Sequence, residues 1–172
     1  MATIFSKKIQ TNLSLLGWYQ IVGGAIGLYL LASFFTSISD FDNLLIAVIA
    51  LGFVLFLFSI CCGVFLLTKK KPGIKLSIIN QALQIFSLAT TGYSYQYISG
   101  IGISAGFDIT ESFKFIFYFG LSSWKLNINT ESILATFEVN IVAILILKNL
   151  FSLQKSIEEE RKNNLINNII SE

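Results

Sequence analysis

Glu138 is the one carboxylate inside four long, charge-poor stretches of this chain. If those stretches cross a membrane, an ionised carboxyl there costs about 2.5 kcal/mol or more to insert, so Glu138 is a candidate functional residue by default. Desolvation would raise its pKa and let it act as a neutral donor or bind and release a proton. The simpler interpretation, which we favour, is structural: Glu138 lies near the interface, where water or a hydrogen bond stabilises it.

Amides and hydroxyls form a second set of candidate residues, spaced three or four apart between residues 75 and 98. The residues on one helical face are Ser77, Asn80, Gln84, Ser87, Thr91 and Ser94, with Gln81 and Tyr95 at its margin. Unpaired polar groups are costly in hydrocarbon, so the stripe must point inward. With a rise of about 1.5 Å per residue, two polar layers are predicted. The inner layer contains Gln20, Asn80, Gln81, Gln84 and Asn149, and the outer layer contains Glu138, Thr91 and Tyr95.

Several kinds of chemistry are excluded by what the chain lacks. It has no histidine, which removes His-based triads and metal sites with imidazole ligands. No glycine loop ends in the Lys-Ser/Thr pair that binds phosphate. The lysines lie beside apolar segments and do not alternate with aromatic residues, which argues against nucleic-acid binding. We therefore predict a protein that is not an enzyme and that uses no metal and no cofactor.

The composition indicates an integral membrane protein. Apolar residues make up 54% of the 172 residues and charged residues 13%, against roughly 25% charged in soluble domains. Four stretches have about the length that a transmembrane helix needs: 13–35, 44–67, 75–98 and 133–153. The first is too long for a signal peptide and lacks a clear cleavage site. The predicted fold is membrane all-α, a four-transmembrane-helix bundle of two hairpins in a single domain of residues 1–172.

The basic residues predict the orientation of this bundle. With both ends of the chain in the cytoplasm, ten of the twelve basic residues face inward, and only Lys114 and Lys125 lie outside. Cytoplasmic segments of membrane proteins carry such an excess of Lys and Arg. Abundant Lys, Ile, Asn and Phe suit an AT-rich bacterial genome, so a bacterial cytoplasmic (inner) membrane is the expected location.

The segment of residues 100–132 has a different pattern from the four stretches. Apolar residues occupy every second position over much of it, as in Phe113, Phe115, Phe117 and Phe119, and this period is typical of strands. We expect a small three-stranded antiparallel sheet outside the membrane, between the third and fourth helices, with turns near 110–112 and 120–123. An interfacial helix or re-entrant segment around 113–121 is the alternative, because that run is apolar on both faces.

Small residues predict how the first two helices pack. Glycines recur at helical spacing and would let two helix backbones approach closely. The residues assigned to this role are Gly17, Gly24, Gly27, Gly52 and Gly63. After residue 153 the tail of residues 154–172 is expected to continue the fourth helix into the cytoplasm, because its apolar residues fall on one helical face.

The pattern favours a non-enzymatic membrane protein, a structural or accessory subunit that assembles with itself or with a partner membrane protein in the lipid bilayer. This follows from many interaction surfaces and missing catalytic motifs. The alternative is a small channel or transporter that uses Glu138 and the polar face of the third helix. A lipid-modifying enzyme at the outer face is a weaker third interpretation, because its only acidic candidates, Asp108, Glu111 and Glu131, are scattered.

Overall fold

The first two elements are long apolar helices that pack against each other. In the computed structural model, which describes residues 5–36, 42–70, 72–128 and 135–170, α1 spans Lys7–Phe35 and α2 spans Asn43–Leu67. Gly17 lies against the main chain at Gly63, and Gly24 and Gly27 lie against Phe56. Gly52 contacts Leu31 of α1 and also Trp124. Because these glycines have no side chain, the two backbones approach closely.

Both helices are long and apolar enough to cross a membrane, by length and composition alone. This confirms the prediction of membrane-length helices for the first two stretches. Among the residues that the structure describes, no other helix meets the same criteria.

The third predicted span, residues 75–98, is wrong. The chain forms a short helix, α3 (Gly73–Ala82), and then two strands, β1 (Phe86–Thr90) and the start of β2 (Tyr93–Asp108). At about 1.5 Å per residue, ten helical residues cover only half of a bilayer core. The polar stripe misled the prediction because apolar and polar residues also alternate from Phe86 onward, and Gly92 provides a tight turn with φ of 85°.

The fourth predicted span, residues 133–153, is also wrong. It begins with the strand β4 (Thr136–Asn140), and the helix α4 (Ile141–Ile170) starts only after that strand. The Asn140 side chain accepts hydrogen bonds from the main-chain N–H groups of Val142 and Ala143, at 3.1 and 3.3 Å. Asparagine caps a helix start in this way, so the strand ends where the helix begins.

The all-α four-helix bundle is therefore replaced by a mixed α/β fold, with four helices and one antiparallel sheet in the part of the chain that the structure describes. The fourth strand of that sheet is β3 (Lys114–Ile128), and the strand order is β1-β4-β2-β3. Residues 93–95 of β2 pair with β1, residues 104–108 pair with β4, and β1 and β4 pair with each other. These three strands thus close into a ring of pairings. Gly100, with φ of 107°, lies at the irregularity in β2 that lets its two halves take different partners.

The predicted three-stranded meander is corrected in its strands. A turn does separate β2 from β3 near residues 110–112, but residues 120–123 lie inside β3, where Gly120 pairs with Gly102. The helical alternative around 113–121 is wrong for the same reason. Residues 129–132 of the predicted segment lie outside the described residues. The sheet packs beside the middle of α1 and α2, as the contacts below establish.

The last helix returns to the start of the first. Leu150, Leu153 and Ile157 of α4 pack in one cluster with Ile9 and Leu13 of α1, and Leu66 of α2 joins them. The main-chain N–H of Ser6 also donates to the Glu160 carboxylate at 3.2 Å. The start of α1, the end of α2 and the middle of α4 therefore lie together at one end of the molecule, which we call the basic end.

Candidate functional site

A buried network of amides and hydroxyls joins the helices to the sheet. Asn80 of α3 lies at its centre: the Asn80 amide donates to the Ser59 hydroxyl at 3.1 Å, and its carbonyl accepts from the Tyr97 hydroxyl at 3.0 Å. The Ser99 hydroxyl bonds to that of Ser59 at 2.8 Å. All four side chains are fully buried. The network therefore joins α2 and α3 to β2 through buried hydrogen bonds, which are stronger in a low local dielectric than in water.

Two glutamines extend the network. The Gln84 carbonyl accepts from the main-chain N–H of Ser99 at 2.8 Å. The side-chain carbonyl of Gln20 accepts from the Asn80 amide and from the Ser77 hydroxyl, both at 3.4 Å. These bonds bring α1 into the same cluster. The Gln20 side-chain N–H₂ finds no hydrogen-bond partner among the described residues.

The structure brings together only part of the predicted inner layer. Gln20, Asn80 and Gln84 meet in the network. Gln81 is fully buried, but neither its amide nitrogen nor its amide oxygen has a partner within the described parts of the chain. Asn149 is exposed on α4 and lies at the basic end, away from the network.

Three members of the network were missed as site residues. Ser59 was predicted only to help the first two helices pack. Tyr97 fell at the end of the predicted third span, and Ser99 fell between that span and the predicted sheet. The signal that could have found them is the alternation of Tyr93, Tyr95 and Tyr97, which has the period of a strand.

Hydrogen bonds from sheet side chains to helix carbonyls fix the depth of the sheet. The Ser122 hydroxyl donates to the carbonyl of Gly23 at 2.7 Å. The Trp124 indole donates to Val48 and the Tyr97 hydroxyl donates to Leu55, both at 2.9 Å. Gly23 also lies directly against the main chain of Gly100, where any side chain would collide. These carbonyls belong to the middle of α1 and the N-terminal half of α2, so the sheet lies beside the hairpin.

Glu138 lies in a small cavity of about 50 Å³ at the ring of strands. Ser87, Ser94, Gln96 and Lys125 also line this cavity. One carboxylate oxygen of Glu138 is buried without a hydrogen-bond partner among the described residues.

The predicted outer layer is only partly assembled. Tyr95 lines the same cavity as Glu138. Its hydroxyl donates to the carbonyl of Leu83 at 2.8 Å and not to the carboxylate. Thr91 is exposed in the turn between β1 and β2.

The sheet has the reverse of the polarity seen in soluble proteins. Its outward face is built from bulky apolar side chains, and Phe115, Phe117 and Phe119 of β3 are 68%, 81% and 75% exposed. Its inward face carries small polar residues that are buried: Ser87, Ser94, Ser104, Ser122 and Asn140. Single exposed apolar residues are common on soluble proteins, but buried polar groups beneath a large apolar face are informative.

The helices have the same inverted polarity. Many of their large apolar side chains are exposed, including Leu15, Trp18 and Tyr29 of α1 and Val54 of α2, while Gln20 and Ser59 are buried. The described residues contain no group of His, Cys, Asp and Glu that could hold a metal ion. Comparison with protein-family models, with curated proteins and with solved structures finds no match to this chain.

Proposed function

We propose that this protein is a non-enzymatic subunit embedded in a bacterial cytoplasmic membrane, and that it assembles with a second copy of itself through the free edge of β3. The observation that carries the proposal is the outward apolar face of β3 at the depth of the helix hairpin, combined with a strand edge that has no partner among the described residues.

The inverted polarity supports a lipid environment. A core helix of a soluble protein is mostly buried, whereas only 22% of the most apolar part of α2 is buried. Exposed Phe, Leu and Val side chains are stable in hydrocarbon, where small and polar residues belong inside. The same distribution on the sheet supports contact of β2 and β3 with lipid as well.

The charges support one orientation in that membrane. Basic residues gather at the basic end, and the described ones are Lys7, Lys8, Lys69, Lys70, Lys75, Lys148, Lys155, Arg161 and Lys162. An excess of Lys and Arg marks the cytoplasmic side. The start of α1 and the end of α4 are therefore cytoplasmic in this proposal, even though two of the predicted spans do not exist.

The free edge of β3 explains why assembly is needed. A strand edge exposes N–H and C=O groups that lipid cannot satisfy, so open sheet edges do not persist in a bilayer. Ser122 and Trp124 place β3 beside the middle of the hairpin. Two identical strands can pair in antiparallel fashion about a two-fold axis, which satisfies both edges at once.

A cross-linking experiment tests this assembly. Phe117→Cys, in a chain that also carries Cys61→Ser, is treated with a short bis-maleimide after extraction in mild detergent. The fully buried Cys62 can be left in place. Rapid conversion to a dimer is expected. The matched control is Val54→Cys on the lipid-facing side of α2, which is expected to stay monomeric.

Particle mass separates the outcomes of this experiment. A dimer of this chain supports the proposal. A lone monomer without a co-purifying chain contradicts it. A complex with a different protein contradicts self-pairing and shows that the edge serves a partner instead.

A second candidate function is a small channel or transporter, and the unpartnered oxygen of Glu138 inside the polar ring of strands favours it. Glu138→Gln would then change proton or ion flux into liposomes while the protein remains folded. Flux no greater than that of empty vesicles would remove this candidate.

A further inference from the structure

We propose that the basic end holds a binding site for an anionic phospholipid, in a pocket between α1, α2, α3 and α4. This inference rests on the membrane placement proposed above and names one of the lipids that the protein contacts. The pocket has a volume of about 100 Å³, room for a headgroup phosphate but not for a whole lipid.

The pocket combines an apolar floor with a cationic rim. Leu13, Leu66, Ile74 and Ile157 contribute the floor, each from a different helix. The rim is formed by four basic residues: Lys69, Lys70, Lys75 and Arg161. Leu66, Leu13 and Ile157 belong to the same packed cluster, so the walls are fixed by the fold.

Within the described parts of the chain, no carboxylate forms an ion pair with the cations of the rim. Lys69 donates to the Gln10 carbonyl at 3.0 Å, and Lys70 lies over the Phe65 ring at 5.0 Å. The ion pair seen in the described part of the chain, Lys155 with Glu159, lies outside the pocket. One acid, Glu158, does line the pocket, and its carboxylate accepts from the Gln154 amide at 3.1 Å. Four cations against one anion leave the pocket positive.

The start of α3 adds to this positive potential. The helix begins at Gly73 beside the pocket, its first turn contains no acidic residue, and its N-cap residue, Pro72, makes no side-chain hydrogen bond. Helix N-termini favour anions because their N–H groups are free and their dipoles point that way.

Position favours a lipid over a free anion. The pocket lies where α1 and α2 reach the cytoplasmic side in the proposed orientation, which is the level of lipid headgroups. Basic pockets between helices on that side bind anionic headgroups. The apolar floor would serve the first part of an acyl chain, which inorganic phosphate lacks. A zwitterionic lipid would leave the excess positive charge uncompensated.

Retention of lipid by the purified protein tests the site. The full chain is reconstituted in phosphatidylcholine with or without phosphatidylglycerol, and bound lipid is counted by native mass spectrometry. Wild type is expected to prefer phosphatidylglycerol. The variant Lys69→Gln, Lys70→Gln, Lys75→Gln should lose on the order of a hundredfold of that preference, since each cation near a charged headgroup contributes about fivefold.

The matched control removes three lysines from the same end that do not line the pocket: Lys8→Gln, Lys148→Gln, Lys155→Gln. It has the same net charge as the pocket variant and should keep the preference of the wild type. An equal loss in both variants would show general surface attraction and overturn the site. Lys70→Gln alone is a milder change, expected to give a partial loss, in case the triple variant does not fold.

Two further arms separate the remaining explanations. Thermal stabilisation of the wild type by inorganic phosphate to the same extent as by phosphatidylglycerol would overturn a lipid site. A wild type that enters phosphatidylcholine vesicles without any preference for phosphatidylglycerol would end this inference and leave the membrane placement intact. A chain that enters no vesicle would remove the membrane placement itself.

Discussion

The α1–α2 hairpin and the four-stranded sheet bury the same kinds of residue but satisfy their main chains differently. Both bury small and polar residues among apolar ones and expose many bulky apolar side chains. Each helix satisfies its own N–H and C=O groups, apart from its ends. The sheet satisfies them only between strands, and β3 has one neighbour in the described structure. The comparison locates the need for a partner in the sheet and not in the hairpin.

The two regions also differ in how they are held together. The hairpin relies on close contact between glycines and the opposite backbone. The sheet is joined to the hairpin by hydrogen bonds from Ser122, Trp124 and Tyr97 and by the network around Asn80. Substitutions that act on one kind of contact should therefore leave the other intact.

The largest effect is expected where the two regions touch most closely. Gly23→Val places a branched side chain against the main chain at Gly100, which cannot move without disturbing the bend in β2. Overpacking of this kind destabilises by about 1–3 kcal/mol or more. Thermal unfolding in detergent should show a clear loss of stability. Ala25→Val, at an exposed position of the same helix, is the control and should behave like wild type.

A smaller effect is expected from the network that links the regions. Asn80→Ala removes two buried hydrogen bonds, one to the Ser59 hydroxyl and one from the Tyr97 hydroxyl. Each such bond contributes about 0.5–1.5 kcal/mol, so the free energy of unfolding should fall by about 1–3 kcal/mol. Asn149→Ala removes an exposed amide and should change stability by no more than about 0.5 kcal/mol. Equal effects of the two changes would contradict the placement of Asn80.

Part of the candidate site was accessible from sequence. Helical spacing and depth grouped Gln20, Asn80 and Gln84. Gln20 lies in α1 and Asn80 in α3, and Gln84 follows shortly after the end of α3. The grouping failed for Asn149 and Thr91, because their depths were counted along spans that do not exist. Residue spacing gives relative depth only while the chain stays in one helix.

The fold was less accessible where an apolar segment changes its period. Residues 75–98 carry no charge after Lys75, and residues 133–153 carry only Glu138 and Lys148, so charge did not distinguish helix from strand. Gly92 and Asn140 are the residues at which the chain changes course, the first as a turn glycine and the second as a helix cap. Each is a single residue whose local signal is weaker than the apolar character of twenty neighbours.

The sequence by itself determined the apolar character of the chain, the first two helices, the alternation in β2 and β3, and the basic residues that gather at one end. Those features are local, because they depend on composition, periodicity and charge along the chain. The tertiary structure alone decided that β1, β2 and β4 pair in a ring and that the sheet lies beside the hairpin. It also decided that one edge of β3 pairs with no other strand of the described residues. Strand pairing and docking join residues far apart in sequence, so no local pattern specifies them.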